Sequence, residues 1–156
     1  SDTKNAWRKA ESTSDSSVDP ARAVGDTHAM SHHVGPIGQI AIIVSDVERA
    51  LVYYRDVLGL KHLFSAGPNL AFLTDGAVRL MLTTPQGHGA PGANSVLYFK
   101  VEGVEEMHAA VVARGAESFR APLLTARMPD HELWIGFVRD PDGNVIGLME
   151  EKKNED

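Results

Sequence analysis

The sequence predicts an α+β fold in which one β-α-β-β-β unit is written twice. An apolar run that ends at Val44 is followed by SDVE (residues 45–48), and an apolar run that ends at Val101 is followed by EGVE (residues 102–105). The two segments align at an offset of 57 residues, which is 101 minus 44. Short β-like stretches follow each predicted helix in the same order, and this repetition indicates two copies of one supersecondary unit.

The first module is predicted over residues 37–84. It opens with the strand IGQIAIIV, and Ser45 with Glu48 then forms a capping box that begins a helix. Apolar residues continue at helical spacing as far as Leu58, and Gly59 suits the end of a helix. The stretches LKHLFSA, NLAFLT and AVRLMLTT predict the three remaining strands.

The second module is predicted over residues 96–151, after a link rich in glycine and proline over residues 85–95. SVLYFKV predicts its first strand, and Val104, Met107 and Val111 mark an amphipathic helix. ESFRAPLL, LWIGFV and NVIGLME predict the other strands, with a loop over residues 127–134. Residues 1–33 are predicted to be a mobile extension and residues 152–156 a charged tail.

The composition excludes several classes of function. The 156 residues include no cysteine, so disulfides, thiolate catalysis and cysteine-built metal sites are impossible. The net charge is −6, and no cluster of Lys and Arg with interleaved aromatic residues points to nucleic acid. No apolar run is long enough to span a membrane and no signal peptide is visible, so we expect a cytoplasmic protein.

Two segments resemble a known family. IGQIAIIVSDVERALVYYRDVLGL is similar to the opening strand and helix of the vicinal oxygen chelate superfamily, and RDPDGNVIGLMEE is similar to its closing turn and strand. This superfamily includes lactoylglutathione lyases, extradiol dioxygenases and bleomycin-binding resistance proteins. The resemblance covers about residues 37–151. It implies a glyoxalase/bleomycin resistance-like fold, whose curved mixed sheets form a cup around a ligand, and a homodimer that often completes the cup.

The resemblance also implies four positions for metal ligands, one each in the first and last strands of both modules. They map onto Gln39, Met81, Val96 and Gly147. A catalytic divalent metal usually has three protein ligands, commonly histidine and carboxylate. Val96 and Gly147 offer no ligand atom, and the thioether of Met81 is a poor partner for hard ions. The expectation is therefore that no metal is held at the usual site.

Strand alternation predicts which side chains line the cup, because neighbouring residues of a strand point to opposite faces. The side that packs on the helices is predicted to carry Ile40, Leu80, Leu97 and Ile146, together with the residue two positions after each of them. The predicted lining is Gln39, Arg79, Met81, Tyr98, Lys100 and Gly147, with Trp134 as a residue of the rim. This lining suits a small organic ligand that is anionic or aromatic.

The sequence thus predicts a small-molecule-binding protein without the usual metal site, of a sequestering or resistance type. The alternative is a divalent-metal-dependent lyase, isomerase or dioxygenase with a relocated site made of Gln39, His131 and Glu132 or Asp130, contributed by one chain or by two. His131 is also the one candidate for a general acid or base, although a histidine on a surface loop is the commoner case. A third possibility is a non-catalytic module that binds a protein partner.

Overall fold

The computed structural model of the protein describes residues 32–155, so nearly all of the predicted extension over residues 1–33 lies outside the described residues. The first module consists of β1 (Gln39–Ile43), α1 (Val47–Val52), β2 (Lys61–Ser65), β3 (Leu70–Thr74) and β4 (Arg79–Thr83). The second consists of β5 (Leu97–Lys100), α2 (Val104–Ala113), β6 (Glu117–Arg127), β7 (His131–Arg139) and β8 (Val145–Lys153). The predicted β-α-β-β-β order is confirmed in both modules.

Each module folds into one four-stranded mixed sheet. The strand orders are β1-β4-β3-β2 and β5-β8-β7-β6, with the first and last strands of each module parallel and the other pairs antiparallel. In the parallel pair of the first module Met81 lies opposite Ala41, and in that of the second module Gly147 lies opposite Tyr98. The two first-strand residues, Ala41 and Tyr98, are 57 residues apart, since 98 minus 41 is 57. The offset read from the sequence is therefore also the register of the structural repeat.

Both sheets pack their apolar faces on the two helices in one shared core. Ile42, Leu80 and Leu82 enter this core from the first sheet, and Ile146 and Leu148 enter it from the second. These are the residues that alternation assigned to the helix side. Because the helices lie against one face of each sheet, the other face of each sheet is turned away from them, and we call it the cup face.

The helix of the first module differs from the prediction at both ends. Its N-cap is Asp46, whose carboxylate accepts a hydrogen bond from the Arg49 N–H at 3.0 Å. The prediction of Ser45 as the cap is wrong, because the Ser45 hydroxyl donates instead to the Asp142 carboxylate in the second module. After Val52 the α-helix continues as a π-helical segment, Tyr53–Val57.

The predicted loop over residues 127–134 is mostly strand. β6 continues to Arg127 and β7 begins at His131, and the Met128 N–H donates to the His131 carbonyl at 2.8 Å across a tight hairpin. The predicted charged tail is also partly strand, because β8 extends to Lys153. No helix among residues 32–155 is long and apolar enough to cross a membrane.

A buried polar network joins the two modules beside α1. The Tyr54 hydroxyl donates to Asp140 Oδ2 at 2.9 Å, and the Asn144 side-chain amide donates to the same oxygen at 2.8 Å. Asp140 is 4% exposed, yet its carboxylate is satisfied by these donors and by the N–H groups of Asp142 and Asn144. A buried carboxylate with this many donors has its hydrogen-bonding capacity satisfied and fixes the geometry around it.

Candidate functional site

The glycine in the middle of β8 is explained by a tyrosine on the neighbouring strand. A Cβ atom at position 147 would lie 2.5 Å from Cδ1 of the Tyr98 ring, which real Cβ contacts essentially never show. Tyr98 and Gly147 are paired residues of β5 and β8, so the ring lies across the backbone of its partner. Glycine is favoured in a strand where another group approaches this closely.

The cup face of the second module carries a cluster of aromatic rings and cations. The Phe137 ring contacts Tyr98 and Phe119 edge to face, with centroids 5.8 and 6.3 Å away. The Arg120 guanidinium lies 4.8 Å from the centre of the Phe137 ring, and the Arg139 guanidinium lies 4.4 Å from the centre of the Phe119 ring. Each is within the range of a cation–π interaction.

Much of this aromatic surface is open to solvent. Tyr98 is 50% exposed, and Phe119 and Leu123 are each 51% exposed. Isolated exposed apolar side chains are ordinary, but a contiguous group of them with fixed polar neighbours is typical of a binding surface. We call Tyr98, Phe119, Arg120, Phe137 and Arg139 the aromatic patch.

The cup face of the first module is closed by its own side chains. Leu70, Phe72 and Met81 are at most 2% exposed and form a small second core with Phe64 and Ala66. The Phe64 and Phe72 rings stack with centroids 4.7 Å apart. This face therefore contributes to stability and offers little apolar surface to a ligand.

Gln39 and Arg79 bind each other at the edge of this closed face. Arg79 Nε donates to Gln39 Oε1 at 2.6 Å, and its guanidinium lies 5.3 Å from the centre of the Phe72 ring. Gln39 also directs its amide nitrogen at the Met81 sulfur, 3.7 Å away. Lys100 lies on the other sheet and pairs with Glu151 at 3.6 Å. The two cations of the predicted lining thus belong to different cup faces.

The link between the modules crosses the end of β1. The Asn94 side chain accepts from the Ile43 N–H at 3.0 Å and donates to the Ile43 carbonyl at 2.9 Å, as a paired strand would. Gly89 passes so close to Ile43 that a Cβ atom there would lie 2.9 Å from Cγ1 of that side chain. The link therefore covers one end of the first cup face.

The geometry described above agrees with a family assignment. The sequence profile of the Glyoxalase/Bleomycin resistance protein/Dioxygenase superfamily matches residues 36–148, which is most of the chain. The chain belongs to this superfamily. A comparison with curated proteins finds no significant match.

Several solved structures share this fold. The chain is 25% identical to a lactoylglutathione lyase from Agrobacterium tumefaciens, with a TM-score of 0.61 over 75% of this chain and 94% of that one. It is also 25% identical to a superfamily member from Sphaerobacter thermophilus, with a TM-score of 0.61 over 76% and 98%. TnmS3, an antibiotic binding protein from Streptomyces, is 22% identical, with a TM-score of 0.63 over 76% and 98%.

The side chains at the four positions that the resemblance assigns to metal ligands do not fit a metal. Gln39 Oε1 already accepts from Arg79, and Met81 is buried with its sulfur facing the Gln39 amide. Val96 has no donor atom, and the place of a side chain at Gly147 is taken by the Tyr98 ring. A hard divalent ion needs several oxygen or nitrogen ligands, and this arrangement supplies none that is uncommitted.

Within one chain, the residues of the alternative, relocated site belong to different sheets. Gln39 is in the first sheet, and His131 begins β7 in the second. His131 Nδ1 lies 2.8 Å from Asp130 Oδ1, while Glu132 accepts from Arg127 at 2.7 Å. The hydrogen bond from His131 lowers the pKa of Asp130. Among residues 32–155, no three His, Asp or Glu side chains are grouped as a metal site.

Two further predicted site residues lie away from the aromatic patch. His131 is six residues along β7 from Phe137, which at about 3.3 Å per residue is roughly 20 Å. Trp134 lies on the helix side, where it packs on the shared core under the Lys152 ammonium, 4.4 Å from the ring. The structure therefore brings the predicted site residues together in two groups, which are Tyr98 with Gly147 on the second sheet and Gln39 with Arg79 and Met81 on the first.

The sequence reasoning missed most of the aromatic patch. LWIGFV is apolar at every position, so alternation alone does not tell which face carries Trp134 and which carries Phe137. Irregular register in β6 near Arg120 likewise breaks the period-two pattern around Phe119. The adjacency of Phe119 and Arg120 was the one feature of the sequence that pointed to this patch. It predicts a shared surface only when the pairing of β6 with β7 is known.

Proposed function

We propose that this chain is a metal-independent small-molecule-binding protein of the superfamily, of a sequestering or resistance type. The observation that supports this most directly is that the Tyr98 ring takes the space of a side chain at Gly147, a position that the resemblance assigns to a metal ligand. The aromatic patch beside it provides stacking surface and positive charge where metal enzymes of the family carry ligands. The name of TnmS3, an antibiotic binding protein, is compatible with the proposal.

The proposed ligand is a planar aromatic molecule that carries an anionic or carbonyl group. Exposed rings at Tyr98 and Phe119 offer stacking partners, and the guanidinium groups of Arg120 and Arg139 lie over rings of the same patch. Arginine binds carboxylates and other oxyanions with two hydrogen bonds in one plane. The combination favours a ligand with an apolar body and a charged edge.

The proposed assembly is a homodimer. The two cup faces of one chain belong to separate sheets that share a helical core, so each faces away from that core. A second chain that covers the aromatic patch with its first module would bury the exposed rings and enclose a ligand. Sedimentation at micromolar concentration is expected to give twice the monomer mass, and a monomer at all concentrations would contradict this assembly.

The absence of a functional metal is tested by elemental analysis. Protein purified without chelator is expected to contain far less than one equivalent of Zn, Ni, Mn or Fe per chain. Divalent ions are also expected to leave the melting temperature unchanged, since a bound ion would raise it. One tightly held ion per chain that is lost in a Gln39→Ala variant would overturn the proposal.

The ligand site is tested with a thermal-shift screen over aromatic metabolites and antibiotics, followed by titration of the best hit. Phe137→Ala is expected to reduce affinity at least tenfold, because it removes the ring at the centre of the aromatic patch. Trp134→Phe, on the opposite face of the same strand, is the matched control and should leave affinity unchanged. Mass spectrometry should recover the hit chemically intact, whereas a changed product would identify an enzyme.

A further inference from the structure

The structure contains a cavity of ≈ 420 Å³ that shares no lining residue with the aromatic patch. It lies where the two modules meet, between the segment Leu58–Lys61, the β3–β4 turn at Asp75, and the helix side of the second module. Phe99, Met107 and Leu148 line it with apolar side chains. Its volume is within the range of small-molecule sites in proteins.

Internal symmetry shows which position in the other half of the molecule corresponds to this cavity. The repeat offset of 57 places Met107 on the position of Ala50 and Val111 on the position of Tyr54. Thr74 pairs with Arg79 at the base of the β3–β4 turn, and Arg139 pairs with Val145 at the base of the β7–β8 turn. Asp75 and Asp140 are therefore the first residues of equivalent turns.

In that other half, the equivalent space is filled by a tyrosine. Tyr54 is 1% exposed, and its hydroxyl donates to Asp140 Oδ2 at 2.9 Å. Burial beside Asp140 raises the pKa of Tyr54, so the phenol stays neutral and acts as a donor. At the cavity, the shorter side chain of Val111 stands at the position of Tyr54; Val111 is itself 1% exposed and lies at the bottom of the open space.

A carboxylate is present at the cavity as well, but Asp75 lies on an exposed turn whereas Asp140 is buried. Asp140 Oδ1 accepts from the N–H groups of Asp142 and Asn144, which leaves Oδ2 for the tyrosine. Asp75 Oδ1 likewise accepts from the N–H groups of Ala77 and Val78, at 2.8 and 2.7 Å. Those backbone bonds lower the pKa of Asp75, so its carboxylate is ionised at neutral pH. Within residues 32–155, no hydrogen bond to Asp75 Oδ2 takes the place of the one from Tyr54.

We propose that the cavity between the modules is a second binding site, for a small phenol that occupies the space of the missing tyrosine ring. Its ring would lie against Phe99, Met107 and Val111, and its hydroxyl would donate to Asp75 Oδ2. A phenol can contact the apolar side chains and also donate a hydrogen bond to the carboxylate. An aromatic hydrocarbon can make only the apolar contacts. The site is independent of the aromatic patch and of any ligand bound there.

The test uses p-cresol, which is the side chain of tyrosine as a free molecule, and toluene as its matched analogue without the hydroxyl. In an NMR titration of the full chain, p-cresol is expected to shift the signals of Lys61, Gly76 and Val111 in a saturable way. Toluene should bind about three- to tenfold more weakly, since p-cresol alone donates a hydrogen bond and the acceptor is an exposed carboxylate. Asp75→Asn should remove most of this difference while toluene still binds.

Two variants block the cavity. Val111→Tyr restores the residue of the other half, and it is expected to abolish p-cresol binding and raise the melting temperature. Val112→Tyr, at the next and 37% exposed position of α2, is the control and should leave binding unchanged. If Val111→Tyr does not fold, Met107→Phe serves the same purpose. Equal affinity for toluene and p-cresol, no saturable binding, or shifts confined to Tyr98 and Phe119 would each overturn the proposal.

Discussion

The two modules share one topology and one register but are filled differently. In the first, Phe72 and Met81 close the cup face and Tyr54 fills the junction with the second module. In the second, Tyr98 and Phe119 are about half exposed on the cup face, and Val111 leaves a cavity at the corresponding junction. The same backbone thus supports a module filled by its own side chains and a module with open apolar surface.

The difference shows how a duplicated fold separates stability from binding. Burying apolar surface stabilises the protein by about 25 cal/mol per Å², and a ring left in solvent contributes little of this. Surface that remains exposed after folding is available to a ligand or a second chain. Closure of the first module is therefore expected to stabilise the chain, while the second retains surface for recognition.

The largest expected effect comes from truncating a ring in each cup face. Phe72→Ala should lower the free energy of unfolding by about 3–5 kcal/mol, because it leaves a cavity in a fully buried cluster. Phe119→Ala removes the same atoms from a 51% exposed side chain and should cost about 1 kcal/mol or less. Urea denaturation measures both, and equal losses would remove the distinction between the two faces.

A smaller effect is expected at the filled junction. Tyr54→Phe keeps the ring and removes the donor to Asp140, so unfolding should become easier by about 1–2 kcal/mol. Asp140 retains three other donors, which limits the loss. Tyr98→Phe, on a half-exposed ring, is the comparison and should change stability by less than about 0.5 kcal/mol. Thermal and urea unfolding should rank the two variants in this order.

The contact between Tyr98 and Gly147 predicts a coupled pair. Gly147→Ala is expected to cost about 1 kcal/mol, because the new methyl group displaces a ring that is free to shift toward solvent. In a Tyr98→Ala background the same change should cost little or become favourable, since the obstacle is gone. A double-mutant cycle measures the coupling, and additive effects would mean that the ring does not rest on the glycine.

The smallest effects separate the two cations of the predicted lining. Lys100→Met removes an exposed ion pair with Glu151 and should change stability by less than about 0.5 kcal/mol. Arg79→Met removes a partly buried hydrogen bond to Gln39 and a contact with Phe72, and should cost about 1 kcal/mol. If the two variants are equally stable, the first cup face is less closed than its geometry indicates.

The order of elements, the duplication and the helix-facing residues were determined by the sequence itself. These features rest on local signals, because hydrophobic period, turn residues and a repeat offset are each read within one segment or between two copies of it. Alternation identified Ile42, Leu82 and Leu148 as core residues, and the structure confirms each of them.

Tertiary structure alone decided which surface is closed and which is open. Ser45 carries a local capping signal, yet its hydroxyl is taken by Asp142, 97 residues away. Trp134 and Phe137 sit in a strand that is apolar on both faces, so only pairing with β8 assigns them to opposite sides. Val111 suits an amphipathic helix in any context, and only the missing counterpart of Tyr54 leaves a cavity beside it. Burial depends on partners that are distant in the chain, and local periodicity carries no information about them.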